Sequence, residues 1–163
     1  MNKENKKRFE VLHLKKTLEK YPSFVGREET IPPPKLKEAG ANDLTRLVIQ
    51  WIELNNGQAE RISSQGQYRD GKKVVTDCIG RKRTIGSGIW TPGTSTLGTA
   101  DISAIIKGGR SVKIEIKWAK DRQSEAQINY QNSVTQAGGI YIIVRTFDEF
   151  LDWWDNFEST YLF

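Results

Sequence analysis

Asp101-Ile-Ser-Ala-Ile-Ile-Lys-Gly-Gly-Arg-Ser-Val-Lys-Ile-Glu-Ile-Lys117 is the most informative stretch of the sequence. It predicts two strands joined by a glycine-containing turn. If the loop consists of residues 107–109, Ile102 faces Ile114 and the two strands share one clean apolar face. A loop of only the two glycines would mix apolar and charged residues on both faces. The apolar pattern therefore favours the longer loop.

The same register brings Asp101 and Glu115 together on the opposite face, and strand alternation adds Lys117 to that face. Neighbouring carboxylates repel each other unless something positive lies between them, and magnesium is commonly held by one or two carboxylates. Such an ion activates water and stabilises charge at phosphorus, while a nearby lysine orients or deprotonates that water. We therefore predict a metal site formed by Asp101, Glu115 and the main-chain carbonyl of Ile116.

A plainer interpretation is that Lys113, Glu115 and Lys117 form the solvated face of an edge hairpin, since Lys-Glu-Lys alternation is common. Asp101 favours the functional interpretation. It begins its strand directly after a glycine-containing turn, beside a basic, glycine-rich segment.

The rest of the chain predicts helices and strands in an α-β-β-β-α-β-α order. Before the central hairpin, we expect a helix over 42–55, then strands over 59–68 and 72–79 joined by a hairpin turn at Asp70-Gly71, and a long loop over 80–98. After the hairpin, we expect a capped helix over 124–137, a strand over 140–145 and a helix over 146–157. The predicted class is α/β (α+β), with a mixed central sheet flanked by helices.

The first 40 residues differ in character from the rest. A basic helix is predicted over residues 3–20, and the run Pro32-Pro-Pro34 favours extended backbone. We therefore expect residues 1–40 to form a basic arm or linker, and residues 41–163 to form the functional domain.

Composition narrows the class of protein. The chain has 163 residues, with 28% charged and 37% hydrophobic, and contains no apolar run long enough to cross a membrane. Cys78 and His13 are the only residues of their types, which excludes a cysteine zinc cluster and argues against a histidine metal site. Cys78 is expected to pack within a strand. The basic N-terminus lacks the apolar run of a signal peptide, so a cytoplasmic, intracellular protein is expected.

The positive charge is concentrated in the middle of the sequence. The chain carries a net charge of +5, whereas residues 61–122 alone carry 13 Lys/Arg against 5 Asp/Glu, a balance of +8. This distribution predicts a polyanionic partner, with a merely soluble basic surface as the alternative.

Beyond these patterns, the sequence resembles a known nuclease family. Gly98-Thr-Ala-Asp101 and, thirteen residues on, Glu115-Ile-Lys117 are similar to the PD-(D/E)XK motif. Its continuation through Ser124-x-x-Gln127-x-x-Tyr130 resembles the VRR-NUC group of that superfamily, as do two later segments. These are Ala137-Gly-Gly-x-Tyr141-x-x-Val144-Arg145 and Asp148-x-x-x-x-Asp152.

The resemblance covers roughly residues 42–155. It implies a restriction-endonuclease-like core, Mg²⁺ or Mn²⁺, and hydrolysis of DNA phosphodiesters by Asp101, Glu115, Lys117 and Gln127. It also implies a homodimer, because relatives with so small a core often act as dimers. Two departures stand out: Ala100 replaces a common proline, and only Asn42 or Asp43 stands near the place of an early helical glutamate.

Basic residues outside the site are candidates for DNA contacts. Arg81, Lys82 and Arg83 are the strongest candidates for phosphate binding; Lys120 and Arg122 follow, with a solvated loop as the alternative. The family often has polar residues facing its cleft on the first strand, and Arg61, Ser63 and Ser64 hold such positions here. Trp90 either stacks on a base or anchors its loop. Gln127 serves the site, the cap of its helix, or both.

Three functions are therefore weighed. The leading one is a metal-dependent DNA endonuclease, selective for DNA structure or tolerant of sequence. The second is a non-catalytic nucleic-acid-binding module that keeps a nuclease-like fold. The third is an assembly protein whose basic N-terminal arm binds a partner.

Overall fold

Four α-helices and eight β-strands lie within the part of the chain that the computed structural model describes, residues 1–63, 66–91, 93 and 96–161. The helices are α1 (Lys3–Lys20), α2 (Ala41–Leu54), α3 (Glu125–Gln136) and α4 (Phe147–Tyr161). The strands are β1 (Gln58–Arg61), β2 (Gln67–Asp70), β3 (Lys73–Thr76), β4 (Lys82–Ile85), β5 (Gly88–Thr91), β6 (Ile102–Ile106), β7 (Arg110–Ile116) and β8 (Ile140–Val144).

A four-stranded mixed sheet in the order β1-β6-β7-β8 forms the centre of the fold. The first two pairings are antiparallel and β7–β8 is parallel, which the intervening helix α3 makes possible. The predicted mixed α/β class is confirmed. From α2 onward, the helices and the strands of this sheet follow the predicted α-β-β-β-α-β-α order, with β2 to β5 inserted between β1 and β6.

The hydrophobic core lies on one face of this sheet. Helix α2 turns an apolar stripe toward it, and α4 contributes a cluster of aromatic residues. Alternate residues of β6 and β7 complete the core from the sheet side. Its fully buried members include Leu44, Leu47, Val48, Ile52, Ile102, Val112, Ile114, Phe147, Phe150 and Leu151.

Helix α1 packs against this core mainly through Phe9, with the partly buried Leu12 beside it. Phe9 is fully buried, with its ring centroid 5.7 Å from those of both Trp51 and Phe147. On the rim of the same contact, Arg8 pairs with Asp155 at 2.7 Å. The predicted helix over 3–20 is confirmed, and the residues that follow Ile31 run without regular structure up to α2.

Residues 66–91, here called the ribbon arm, differ from three predictions made from the sequence. The Asp70-Gly71 turn does not join a hairpin, because β2 pairs with β5 and β3 pairs with β4. The predicted loop over 80–98 contains strands β4 and β5. The ribbon arm is thus one long hairpin whose turn lies at 77–81, where Cys78 is exposed rather than packed.

The start of α2 also differs from expectation. Neither Asn42 nor Asp43 caps the helix, whose N-cap is Gly40 without a side-chain hydrogen bond. Asp43 instead accepts a hydrogen bond from the main-chain nitrogen of Ala39 at 3.2 Å. The carboxylate therefore fastens the incoming chain rather than the first turn.

Candidate active site

The β6–β7 hairpin has the register predicted from its apolar pattern. Ile102 pairs with Ile114, and the connection is the three-residue turn Lys107–Gly109, in which both glycines adopt positive φ. Continuing this register places Asp101 beside Glu115. The Asp101 carboxylate accepts a hydrogen bond from the main-chain nitrogen of Ile116 at 2.9 Å, which holds it against β7.

Glu115 is almost fully buried, with 2% of its surface exposed. Its Oε1 lies 3.1 Å from the Lys117 ammonium and accepts a hydrogen bond from the Gln127 amide at 2.5 Å. On the other side, the Tyr141 hydroxyl lies 3.5 Å from Oε2. Because β7 is paired on both sides and Glu115 is buried, the interpretation as a solvated edge face is wrong.

Lys117 is buried as well, at 4% exposure, and it joins the polar groups of the site. Its ammonium donates to Gln127 Oε1 at 3.0 Å and to Asp121 Oδ2 at 3.3 Å, besides contacting Glu115. A buried ammonium with three polar partners has a fixed position. It therefore presents a localised positive charge beside the two carboxylates.

The environment makes Glu115 reluctant to ionise. Burial raises the pKa of its carboxyl above the ordinary value, the neighbouring Asp101 raises it further, and Lys117 opposes both effects. Burial and the charge of Glu115 together raise the pKa of Tyr141 to about 12, so its hydroxyl keeps its proton at neutral pH. The site thus places the Glu115 carboxyl, whose pKa is raised, next to the Tyr141 hydroxyl, which stays protonated and can donate a hydrogen bond.

Gln127 lies both in the cap of α3 and against Glu115 and Lys117. It forms the predicted capping box with Ser124: its side chain accepts from the main-chain nitrogen of Ser124 at 2.9 Å, and its own nitrogen donates to the Ser124 hydroxyl at 3.3 Å. The same amide group bridges Glu115 and Lys117. The first turn of α3 is therefore fastened to the sheet through the candidate site.

Gly98 brings the chain that enters Asp101 against this same turn. It has a φ of +80°, and a Cβ here would collide with the main-chain carbonyl of Ala126. Only glycine meets both demands without strain. The close approach links the start of β6 directly to the residue before Gln127.

The basic residues predicted to bind DNA lie in three places. Arg81, Lys82 and Arg83 are exposed near the end of the ribbon arm. Lys120 and Arg122 are exposed on the loop between β7 and α3, next to Lys117 in sequence. Of the predicted DNA contacts, this loop pair lies nearest to the carboxylates along the chain.

Arg61 lies elsewhere. Strand alternation puts its side chain on the face of β1 that also carries the buried Ala59, opposite the face of Asp101. There it donates to the side chain of Asn42 at 2.8 Å. Ser63 follows β1 in irregular chain, and Ser64 is outside the described residues.

Three residues of the site had no role assigned from sequence. Asp121 contacts Lys117, Tyr141 contacts Glu115, and Arg145 donates to the main-chain carbonyls of Ala119 and Asp121 at 3.4 and 3.2 Å. The parallel pairing of β8 with β7 was the missing information for Tyr141. Once Ile143 pairs with Glu115, alternation puts Tyr141 on the same face.

The donor set suits a hard divalent cation that keeps most of its water. Asp101 and Glu115 supply two carboxylates, and no group of three or more His, Cys, Asp or Glu residues that could hold a metal occurs in the described parts of the chain. Magnesium is held in this way by one or two carboxylates together with substrate oxygens. The carbonyl of Ile116 as a third ligand stays a prediction.

No family model matches the chain, and no curated protein matches it significantly. Within the described residues, none of the helices is both long enough and apolar enough to pass through a membrane.

Proposed function

We propose that this protein is a divalent-metal-dependent deoxyribonuclease that hydrolyses phosphodiester bonds within DNA. One observation carries the proposal: Asp101 and Glu115 are adjacent on paired strands, and the buried ammonium of Lys117 lies 3.1 Å from Glu115. Two neighbouring carboxylates are costly to ionise together, and binding of a cation between them would give a reason for that cost.

Each residue then has a defined part. Asp101, Glu115 and the Ile116 carbonyl would hold Mg²⁺ or Mn²⁺, which supplies Lewis-acid stabilisation of the charge on the phosphate. Lys117 orients the attacking water or stabilises the transition state. Gln127 keeps both charged side chains in position, as its hydrogen bonds to Glu115 and Lys117 indicate.

The choice of DNA as substrate has two supports. Residues 61–122 carry the excess of positive charge, and the motif around Asp101 and Glu115 resembles PD-(D/E)XK nucleases of the VRR-NUC group. We propose accordingly that the mixed sheet with α2, α3 and α4 is a restriction-endonuclease-like core. Lys120 and Arg122 would contact phosphates beside the cut, and a homodimer stays part of the proposal.

Cleavage of plasmid and branched DNA in Mg²⁺ tests the proposal. Asp101→Asn and Glu115→Gln should each lower the cleavage rate at saturating DNA by roughly 10²–10⁴-fold. Each substitution removes a negative charge that would hold the metal ion beside the reacting phosphate. Glu53→Gln, which neutralises an exposed carboxylate on α2, is the matched control and should cut like the wild type. Equal cleavage by all four proteins would overturn the assignment.

The non-catalytic alternative has one observation in its favour. Lys117 already compensates the buried Glu115, so the site is electrostatically tolerable without a metal ion. This alternative predicts DNA binding that depends on salt, ignores EDTA and leads to no cleavage with any divalent metal. The same assay, repeated with Mn²⁺, separates the two functions.

A further inference from the structure

Along β3 and β4 every side chain of the ribbon arm is exposed, and no other element within the described part of the chain packs over it there. The chain leaves the central sheet at Arg61 and returns at Ile102, which are paired partners. Both ends of the excursion thus lie beside Asp101, whose main-chain carbonyl accepts a hydrogen bond from the nitrogen of Ile62 at 2.8 Å. The arm therefore extends from the edge of the candidate site into solvent.

The end of the arm has a defined conformation in spite of its exposure. Asp77 accepts hydrogen bonds from the main-chain nitrogens of Ile79 and Arg81, at 3.1 and 2.8 Å. Its own nitrogen donates to the carbonyl of Arg81 at 2.9 Å. Where the two ribbons join, the backbones of Gly71 and Gly86 touch so closely that a side chain at Gly86 would collide. The arm is therefore a built element rather than a long loop.

The surface of the arm mixes aliphatic and basic side chains on both faces. Residues directly opposite each other share a face, so Lys73 lies with Ile85 and Val75 lies with Arg83 on one side. The other side pairs Thr76 with Lys82. Neither side of β3 and β4 offers the continuous apolar surface that a second copy or another protein would cover; the exposed Tyr68, Ile89 and Trp90 lie on β2 and β5, nearer the central sheet.

The charge of the arm points to the partner. Residues 66–91 contain six Lys/Arg and two Asp, and all six basic residues are exposed. Two such arms facing each other would repel. A polyanion would meet positive charge on both faces and at the end, where the exposed Ile79 would contact apolar groups.

We propose that the ribbon arm enters the major groove of duplex DNA and holds it at the candidate active site. A two-stranded ribbon fits a groove about 12 Å wide, where phosphates line both walls and thymine methyl groups lie on the floor. Ten residues from Gln67 to Thr76 reach roughly 30 Å, enough to follow the groove away from the cut. That the partner is DNA rests on the proposed function; the duplex form of the DNA and the major groove are new here.

Binding in EDTA tests this independently of cleavage. In the full-length protein, Arg81→Ala/Lys82→Ala/Arg83→Ala should weaken duplex binding by about 10- to 100-fold and reduce the salt slope by about 2–3, since each lost phosphate contact removes about 0.9. A second variant, Lys72→Ala/Lys73→Ala/Lys82→Ala, leaves the Asp77 turn and the Arg83–Asp77 pair intact and should behave alike. The control Lys3→Ala/Lys7→Ala/Lys15→Ala removes the same charge from exposed positions of α1.

Methylation by dimethyl sulfate identifies the groove, because guanine N7 lies in the major groove and adenine N3 in the minor groove. The wild type should protect guanine N7 over several base pairs, and both arm variants should lose that protection. Unchanged affinity and salt slope, or protection of adenine N3 instead, would overturn the proposal. So would an arm variant that changes from dimer to monomer while its DNA affinity stays the same. Binding through the arm without Mg²⁺-dependent cleavage would leave this inference standing and reject the nuclease.

Discussion

At the scale of single residues, Glu115 stands between two opposing charges. Asp101 and burial favour its protonated form, whereas the Lys117 ammonium favours the carboxylate. Metal binding would require the carboxylate, because a proton and a cation compete for the same oxygens. The proton affinity of this one side chain therefore sets the lower pH limit of the proposed site.

We expect the Glu115 carboxyl to titrate above the ordinary glutamate range in the metal-free protein, as followed by carboxyl ¹³C chemical shifts. Asp101→Asn should lower the pKa of Glu115 because a repelling charge is removed, and Lys117→Met should raise it because an attracting charge is lost. On acidification, protons compete with Mg²⁺ for the Glu115 carboxylate. Because the pKa of Glu115 is raised, the affinity for Mg²⁺ should begin to fall at a higher pH than it would with an ordinary glutamate.

The two substitutions act as controls for each other, because both change one neighbouring charge and leave Glu115 in place. Shifts of the Glu115 pKa in the same direction for both variants would contradict this account of the site.

At the scale of elements, the connection through Gly98 positions two parts of the site at once. It precedes β6 and lies against the first turn of α3, so it sets the distance between Asp101 and Gln127. A change here should disturb the site without altering any of its charged groups.

We expect Gly98→Ala to reduce the free energy of unfolding by about 2–5 kcal/mol, combining a left-handed backbone with a steric clash. Gly108→Ala is the matched control. It has nearly the same positive φ, at +79°, but open space around its Cβ position, so it should cost only about 1–2 kcal/mol. Urea denaturation gives both values, and equal losses would show that the contact with α3 contributes nothing.

The β6–β7 hairpin was predictable from sequence because one of its faces is buried. A shift of one residue would turn Ile102 and Ile114 outward, so the apolar pattern fixes the register and with it the pair Asp101 and Glu115. Lys117 followed from alternation, and the capping box at Ser124 from its spacing.

The ribbon arm was not predictable in the same way. Its strands have no buried face, so no apolar alternation distinguishes strand from loop over 80–98. Asp70-Gly71 is a favourable local turn sequence, yet β2 pairs with the distant β5. Pairing between segments far apart in sequence leaves no local signal. The contact of Tyr141 with Glu115, on a different strand, escaped prediction for the same reason.

At the scale of the whole molecule, the N-terminal helix contributes to the central core although its sequence is mostly polar. The packing of Phe9 between Trp51 and Phe147 joins α1, α2 and α4 in one cluster. A single aromatic residue among lysines gives no helical apolar stripe, and its burial depends on the surface that it meets.

Phe9→Ala should lower the free energy of unfolding by about 3–5 kcal/mol while the chain keeps one cooperative transition. Val11→Ala, on the same helix but at a position with 59% exposure, should change it by no more than about 0.5 kcal/mol. Thermal and urea unfolding followed by tryptophan fluorescence measure both. A wild-type value for Phe9→Ala would mean that α1 does not contribute to the core.

The direct pairing of Arg61 with Ile102 has a consequence for how such a protein can diversify. Because the chain re-enters the sheet where it left, the ribbon arm can be shortened, lengthened or exchanged without shifting β1 against β6, provided that Gly98 and Asp101 are kept. The choice of DNA target would then depend on the ribbon arm, and the chemistry would depend on the central sheet, so that each could change without the other. A minimal enzyme in which a short loop replaces residues 66–91 should keep its fold and Asp101, and should serve as a scaffold for ribbons taken from other proteins.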